Sequence, residues 1–169
     1  MYKLDHIDKK ILEILQTNGK ITNAKLAEMI NLSPAPTLER VKKLEKAGLI
    51  KGYYAKIDER KLGYGIVAYM MVSVIRQEDR DEKSFYNRIK NLHEIVECHQ
   101  ITGPADYLIK LYLKDMEEFD MFVREKLTNM ECVLQTQTMI VIKTYKENQP
   151  IILTDDSKTL DGVNSLKYD

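Results

Sequence analysis

The chain has 169 residues, 44% hydrophobic and 31% charged, which is enough apolar sequence for one domain core or two small ones. Its formal net charge is zero and it lacks an apolar run of about 18 residues, so we expect a soluble protein with no membrane span. No secretory signal pattern follows Met1 and the two cysteines lie far apart, which favours a cytoplasmic protein with free thiols.

The zero net charge conceals two parts of opposite sign. Residues 1–62 contain thirteen lysines and arginines against eight acidic residues, a net charge of +5, and residues 63–169 contain thirteen against eighteen, a net charge of −5. Because an acidic region is repelled by polyanions, any nucleic-acid surface is expected within the first 62 residues.

Two short helices are predicted before residue 31. Asp5 is the expected N-cap of the first helix, which should end near Asn18-Gly19. Its apolar stripe consists of Ile7, Ile11, Ile14 and Leu15. Asn23 is expected to cap the second helix, which carries Ala24, Ala27 and Ile30 on its inner side. Asn31-Leu32 leaves only a tight turn before Ser33.

The third predicted helix starts with two prolines. Ser33 suits the N-cap and Pro34 the first helical position, where its missing N–H costs no hydrogen bond, while Pro36 still lies in the first turn. Gly48 is expected to end the helix. Leu38, Val41 and Leu44 should face inward, and Thr37, Arg40, Lys42 and Lys43 should be exposed. Residues 49–57 are predicted to form a short strand pair, a wing.

Short helices, a tight turn, a basic helix and a wing, in this order, are typical of a winged helix-turn-helix that places its last helix in the major groove. A solvated basic face of an ordinary domain is the alternative interpretation. The segments "LDHIDKKILEILQTNGKITNAKLA" and "LSPAPTLERVKKLEKAGLIKGYYA" closely resemble the DNA-binding segment of the Lrp/AsnC regulators, the leucine-responsive or feast/famine transcription factors. The resemblance implies a DNA-contacting recognition helix that includes Ser33, Pro34, Pro36, Thr37, Arg40 and Lys43. Phosphate contacts are expected from Arg40, Lys42, Lys43, Lys46 and Lys51, and base contacts from Thr37 and Arg40.

The rear part of the chain alternates strands and helices after a polar, glycine-bearing hinge at residues 58–65. Strands are predicted at residues 66–75, 95–102, 107–113 and 133–145, and helices at residues 81–92 and along the stripe Met116, Phe119, Val123, Leu127 and Met130. This β-α-β-β-α-β order predicts a ferredoxin-like domain. The expected fold class is therefore α+β, with a DNA-binding domain at 1–57, the hinge, a second domain at 66–146 and a C-terminal tail at 147–169.

The first strand of the rear domain is apolar on both faces. Its two alternating sets of side chains are Ile66, Ala68, Met70, Val72, Val74 and Val67, Tyr69, Met71, Ser73, Ile75. Because two helices cover only one face of a ferredoxin-like sheet, the second apolar face predicts a partner surface. We expect two chains to pack sheet against sheet, which presents two recognition helices to two DNA half-sites. Assembly of such dimers into an octamer is implied by the resemblance.

The stretch "ECHQITGPADYLIKL", residues 97–111, carries the second resemblance to the Lrp/AsnC regulators. In that family a Gly-x-x-Asp turn helps to bind a small effector, usually an amino acid, at contacts between dimers. The resemblance implies effector contacts by Gln100, Thr102, Gly103, Ala105, Asp106, Met116, Thr136, Gln137 and Thr138. A carboxylate accepts hydrogen bonds from an α-amino group, and turn N–H groups and hydroxyls hold an α-carboxylate. The alternative is a hairpin turn in which Gly103 and Asp106 serve only the backbone.

We expect neither a metal nor a cofactor. Cys98 and His99 are adjacent on a predicted strand, so their side chains point to opposite faces and cannot bind one ion together. The methionine-rich stripe of the last helix is interpreted as core packing.

The sequence therefore predicts a sequence-specific DNA-binding transcriptional regulator of the Lrp/AsnC type that responds to an amino acid and is not an enzyme. Two alternatives stay open. The first is an architectural protein that compacts DNA with little sequence preference. The second is a decarboxylase of tetrapyrroles built on the same two-domain frame, with His93 or His99 as acid or base.

Overall fold

The structure, a computed structural model, describes residues 3–75 and 81–153, and of residues 81–84 the backbone alone. It divides into two compact units. The described part of the first unit comprises residues 3–56 and 146–153, and the second unit is Ile57–Tyr145. No helix within the described residues is long and apolar enough to cross a membrane.

Helices α1 (His6–Thr17), α2 (Asn23–Met29) and α3 (Pro34–Lys46) form the first unit. Asp5 caps α1 as predicted, in a reciprocal pair with Asp8 in which each carboxylate accepts the other residue's backbone N–H. The predicted cap of α2 is wrong by one residue: Thr22 is the N-cap, and its hydroxyl accepts from the Lys25 N–H. The buried apolar side chains are Ile11, Leu26, Ala27, Ile30 and Leu44, whereas Ala24 is exposed.

Helix α3 is rotated about its axis relative to the sequence prediction. Val41 and Leu44 pack inward, but Leu38 is 42% exposed and Thr37 is fully buried. The expected exposure of Thr37 and burial of Leu38 are therefore wrong. Adjacent helical residues point about 100° apart, and the Thr37 position faces the other helices. The helix ends as predicted, with Gly48 at a φ of +71°.

The predicted wing does not form a strand pair. Residues 49–57, all of them described, contain neither a strand nor a helix. A strand requires a partner whose backbone groups complete its hydrogen bonds, and this short segment meets no such partner within the described part of its own chain.

The second unit is a four-stranded antiparallel sheet with helices on one face. Its strands are β1 (Ile66–Val74), β2 (Ile95–Gln100), β3 (Tyr107–Leu113) and β4 (Val133–Ile140), in the spatial order β2-β3-β1-β4. The helices are α4 (Asp81–Ile89) and α5 (Met116–Met121), which continues as a π-helix over Phe122–Leu127. This is the ferredoxin-like arrangement, and β3 has the predicted bounds, while β1, β2, β4 and α4 end earlier than predicted.

Alternate residues of the central strands separate the two faces of this sheet. Ala68, Met70 and Val72 of β1 are fully buried in a core with Phe85 and Phe122 from the helices. The opposite face carries half-buried side chains, among them Val67, Tyr69, Met71, Leu108 and Tyr112. The two apolar faces of β1 are therefore unequal in burial, as expected for a sheet with helices on one side.

Residues 146–153 belong to the first unit. The Gln16 side chain donates to the Ile151 carbonyl (3.1 Å) and accepts from the Ile151 N–H (2.7 Å). Lys56 and Glu147 form an ion pair at 2.6 Å. The described residues 147–153 of the predicted tail contain no strand, and residues 154–169 lie outside the described residues.

Candidate nucleic-acid interface and effector site

The start of α3 is held by its own backbone and by α2. Ser33 occupies the N-cap position in an extended conformation, although its side chain makes no capping hydrogen bond within the described structure. Pro34 and Pro36 lack N–H groups, so Ala35 supplies the one N–H of the first three helix residues. The Asn23 amide donates to the Pro34 carbonyl at 2.8 Å. The first turn of α3 is therefore fixed in position against α2.

Thr37 and Arg40, the two residues predicted to contact bases, form contacts inside the unit. The buried Thr37 hydroxyl donates to the Ser33 carbonyl at 2.9 Å. Arg40 Nη1 donates to Asp5 Oδ2 and to Asp8 Oδ1, both at 2.7 Å. Asp8 has a side chain only 3% exposed, and that of Arg40 is 30% exposed. Both residues therefore position α3 on the other helices.

These contacts shift the pKa values of Asp5 and Arg40. The backbone N–H of Asp8 lowers the pKa of the Asp5 carboxyl, and the Arg40 guanidinium adds to this effect. The Asp5 and Asp8 carboxylates in turn raise the pKa of Arg40. The Arg40 guanidinium and the Asp5 carboxylate therefore stabilise each other's charged form.

The cations that remain available lie on the outer side of α3 and just after it. Lys42, Lys43, Lys46 and Lys51 are all exposed. Lys42 lies 3.7 Å from Glu39 in a solvent-exposed ion pair, a geometry that contributes little stability. All four of these predicted positions are exposed, so each lysine can bind a phosphate without loss of core contacts.

The predicted effector turn is a tight backbone structure. Gly103 has a φ of +123°, which favours glycine. Asp106 Oδ2 accepts the Val74 N–H at 2.9 Å, and the Asp106 N–H donates to the Val72 carbonyl at 3.0 Å. Ala105 is half-buried and Thr102 is exposed. The Asp106 carboxylate therefore joins the turn to β1. This is the kind of backbone contact that the hairpin-turn alternative assigns to Asp106.

The predicted effector residues do not form one cluster within a chain. Thr136 and Thr138 pair with Val72 and Met70 on the helix-covered face of the sheet, and Gln137 points to the other face. Met116 is 55% exposed and follows β3, whereas Asp106 precedes it. Seven strand residues at about 3.3 Å each place these two at opposite ends of β3, roughly 20 Å apart. The remaining predicted residue, Gln100, ends β2 beside the turn.

A charged cluster on the opposite face of the sheet was not predicted. Lys110 Nζ lies 3.1 Å from Glu97 Oε1 and 5.9 Å and 5.4 Å from the ring centres of Tyr69 and Tyr112. Burial opposes the charged amine, but the contacts with Glu97 and Tyr112 prevail and raise the pKa of Lys110. Alternation along β3 was the available signal, because Leu108, Lys110 and Tyr112 share one face.

The histidines and cysteines are not assembled into a metal centre. Cys98 pairs with Ile109 and His99 with Leu108, so the two adjacent side chains point to opposite faces. Within the part of the chain that the structure describes, no three or more metal-binding side chains form a group.

Comparison with known proteins identifies both units. The winged helix-turn-helix DNA-binding family matches residues 4–51, and the Lrp/AsnC ligand-binding domain family matches residues 67–151. The leucine-responsive regulatory protein of Rhizobium meliloti is 40% identical over 145 residues, which cover 86% of this chain and 93% of the relative. The protein of the same name from Escherichia coli K12 is 33% identical over 89% of this chain and 92% of its own length.

Two solved structures of regulators are also similar to this chain. A transcriptional regulator from Neisseria meningitidis, determined in complex with L-Met, superposes with a TM-score of 0.84 and 34% identity, covering 88% of this chain and 96% of the other. AsnC from E. coli superposes with a TM-score of 0.79 and 25% identity, covering 86% of this chain and 97% of the other.

Proposed function

Since the chain belongs to the Lrp/AsnC family of DNA-binding transcriptional regulators, we propose that α3 enters the major groove of operator DNA and that its lysines hold the neighbouring phosphates. The observation that carries this proposal is the position of the cations. Lys42, Lys43 and Lys46 are exposed on a helix whose inner side is fixed by packing. Lys51 is exposed just after the helix and is proposed to hold a further phosphate.

The inner residues of α3 have a different role in this proposal. In this proposal Thr37 and Arg40 keep the helix in place instead of contacting bases, a role supported by their contacts inside the unit. Ser33, Pro34 and Pro36 define where the helix starts, so that its first turn meets the groove at a fixed angle.

Competition by random duplex DNA tests the regulator against the architectural alternative. A regulator bound to a selected operator is displaced only by a large excess of random duplex, because specific sites bind about 10³-fold or more tightly. Equal competition by operator and random duplex would identify a compacting protein instead. The family is not one of enzymes, so the decarboxylase alternative is set aside.

The second unit is proposed to bind an amino acid. Support comes from its match to a ligand-binding domain and from the similarity to the Neisseria regulator solved with L-Met. Gln100, Thr102, Gly103, Ala105 and Asp106 lie together at the turn. Met116 lies about 20 Å away at the other end of β3, so a site that includes Met116 requires a second copy of the chain.

Thermal melting of the protein with each of the twenty amino acids tests the effector. A ligand at a hundred times its Kd stabilises by about 2.7 kcal/mol, which raises Tm by several degrees. We expect the shift to disappear in Asp106→Asn, which retains an acceptor oxygen for the Val74 N–H but removes the charge. Asp120→Asn removes an exposed carboxylate on α5 and should keep the full shift. No shift with any amino acid would refute an amino-acid sensor.

Two chains are proposed to pair through the sheet face that carries Val67, Tyr69 and Met71, and dimers to assemble further, up to an octamer. The support is the set of half-buried apolar side chains on the face opposite the helices, which surround the Lys110–Glu97 pair. Light scattering should report a dimer or larger at micromolar concentration, and Met71→Glu should shift the population towards monomer. Tyr86→Glu, on the exposed side of α4, is the control. A monomeric wild-type protein would refute this pairing.

Since DNA is the partner, we place the protein in the cytoplasm.

A further inference from the structure

The outward face of α3 contains an acidic residue between its lysines. Thr37, Val41 and Leu44 face the core, and positions 100° apart per residue place Ala35, Glu39, Lys42 and Lys46 on the opposite side. The Glu39 side chain is 65% exposed and lies in the first half of the helix, the half that contacts base edges in helix-turn-helix proteins.

A carboxylate at this position is unfavourable unless DNA offers it a donor. Phosphates repel it, and within the described structure its one ion pair is the 3.7 Å exposed pair with Lys42, in which the carboxylate competes with phosphate for the same lysine. The other acid of α3, Glu45, has a structural partner, because it accepts the Tyr53 hydroxyl at 3.0 Å. Glu39 makes no comparable hydrogen bond to the described residues of the unit.

Base edges of the major groove supply such a donor. Cytosine presents its N4 amino group there, whereas adenine presents an N6 donor beside the N7 acceptor, and guanine presents two acceptors. An ionised carboxylate can therefore accept a hydrogen bond from cytosine, which presents a donor and no acceptor of its own in the groove. At each purine the carboxylate also meets an acceptor atom that repels it.

We propose that Glu39 is a specificity-determining residue that accepts a hydrogen bond from a cytosine N4 amino group in each operator half-site. This inference rests on the proposed function, since it requires α3 to lie in the major groove. When Lys42 moves to a phosphate, the Glu39 carboxylate is released to face the base.

Selection of binding sites from a randomised duplex pool tests the proposal with the full chain. Wild-type sites should contain a fixed cytosine in each half-site. Glu39→Ala should lose the preference at that one position, by about tenfold or more, and keep the preferences elsewhere. Glu39→Gln should change the preferred base from cytosine to adenine, because an amide pairs with both adenine groups. Glu28→Gln, which removes the same charge from an exposed site on α2, is the matched control and should leave every preference unchanged.

The outcomes separate this inference from the proposed function. A wild-type protein that enriches no sequence would overturn both. A wild-type protein that enriches an operator, with Glu39→Ala and Glu39→Gln selecting the same bases, would leave the regulator standing and overturn the role of Glu39. In that case Glu39→Ala and Glu39→Gln should gain affinity for every duplex to the same extent, as expected from the loss of the same repelling charge.

Discussion

Replacing Arg40 with alanine decides whether this guanidinium serves the fold or the DNA. Its Nη1 atom lies 2.7 Å from Asp5 Oδ2 and from Asp8 Oδ1, and the Asp8 side chain is only 3% exposed. Removing one partner of a fully buried ion pair costs roughly 3–5 kcal/mol, and an exposed pair contributes about 0–1 kcal/mol. Because the Arg40 side chain is 30% exposed, water can partly replace its contacts with the two carboxylates. We therefore expect the free energy of unfolding of the first unit to fall by about 2 kcal/mol.

Hydrogen–deuterium exchange of peptides from α1 and α3 measures this loss in the first unit separately from the second. The opening free energy of both helices should fall by about 2 kcal/mol in Arg40→Ala. In an Asp8→Asn background the same change should cost only about 0.5 kcal/mol, since a neutral amide does not need the cation. The slope of log K against log salt for DNA binding should stay as in the wild type.

The reverse pattern would refute our assignment. Unchanged exchange in α1 and α3, together with a salt slope reduced by about 0.9, would make Arg40 a phosphate-binding residue, as the sequence alone suggested.

Three further predictions concern other parts of the molecule. Lys43→Ala should weaken binding to operator and random duplex alike and reduce the salt slope by about 0.9, measured by titration at several salt concentrations. Burial opposes ionisation of Glu94, but the hydrogen bond from Lys126 prevails and lowers the pKa of this carboxyl. The ionised Glu94 side chain thus stabilises the fold above the pKa of the unfolded chain, near 4.5, and this stabilisation is lost as the pH falls through the lower pKa of the folded protein. Glu94→Gln should therefore flatten the acid side of the plot of unfolding free energy against pH, measured by urea denaturation. Gln16→Ala removes both hydrogen bonds to Ile151 and should accelerate amide exchange in residues 146–153, whereas Gln135→Ala on β4 should not.

Local signals were sufficient for both ends of α1, the end of α3 and the bounds of β3. The capping pair of Asp5 and Asp8, the left-handed Gly48 and the bounds of β3 each depend on residues a few positions apart. Such interactions form within one turn or strand, so they can be recognised without the tertiary structure. The order of elements then determined the ferredoxin-like plan.

The rotation of α3 could not be predicted in the same way. Leu38 is apolar and Thr37 is polar, so hydrophobicity alone assigns their burial in the wrong order. The buried Thr37 hydroxyl is satisfied by the Ser33 carbonyl one turn earlier, which removes the penalty for burying it. The two partners of Arg40, Asp5 and Asp8, lie 35 and 32 residues away in the sequence. A pattern of spacing along one helix does not contain that information.

The effector site could not be predicted from the sequence of one chain, because its residues are expected to come from more than one copy. The resemblance placed Asp106 and Met116 in one site, but the residues of β3 separate them within a chain. The resemblance itself located the site between dimers, and the length of β3 is consistent with a site shared between copies. A sequence read as a single chain cannot give the distance between residues of two copies.

Because the inner side of α3 is fixed by its contacts, the effects of substitutions on its outer side can be assigned to DNA binding. The helix is held at its start by Asn23, in its second turn by Arg40 and in its third by Leu44. A helix held at successive turns arrives at DNA already oriented, so less conformational entropy is lost on binding. Substitutions on the outer side should therefore change affinity or base preference at constant stability, while substitutions on the inner side should change stability first. Comparing Glu39 with Arg40, adjacent residues on different sides, separates these two effects within a single turn of helix.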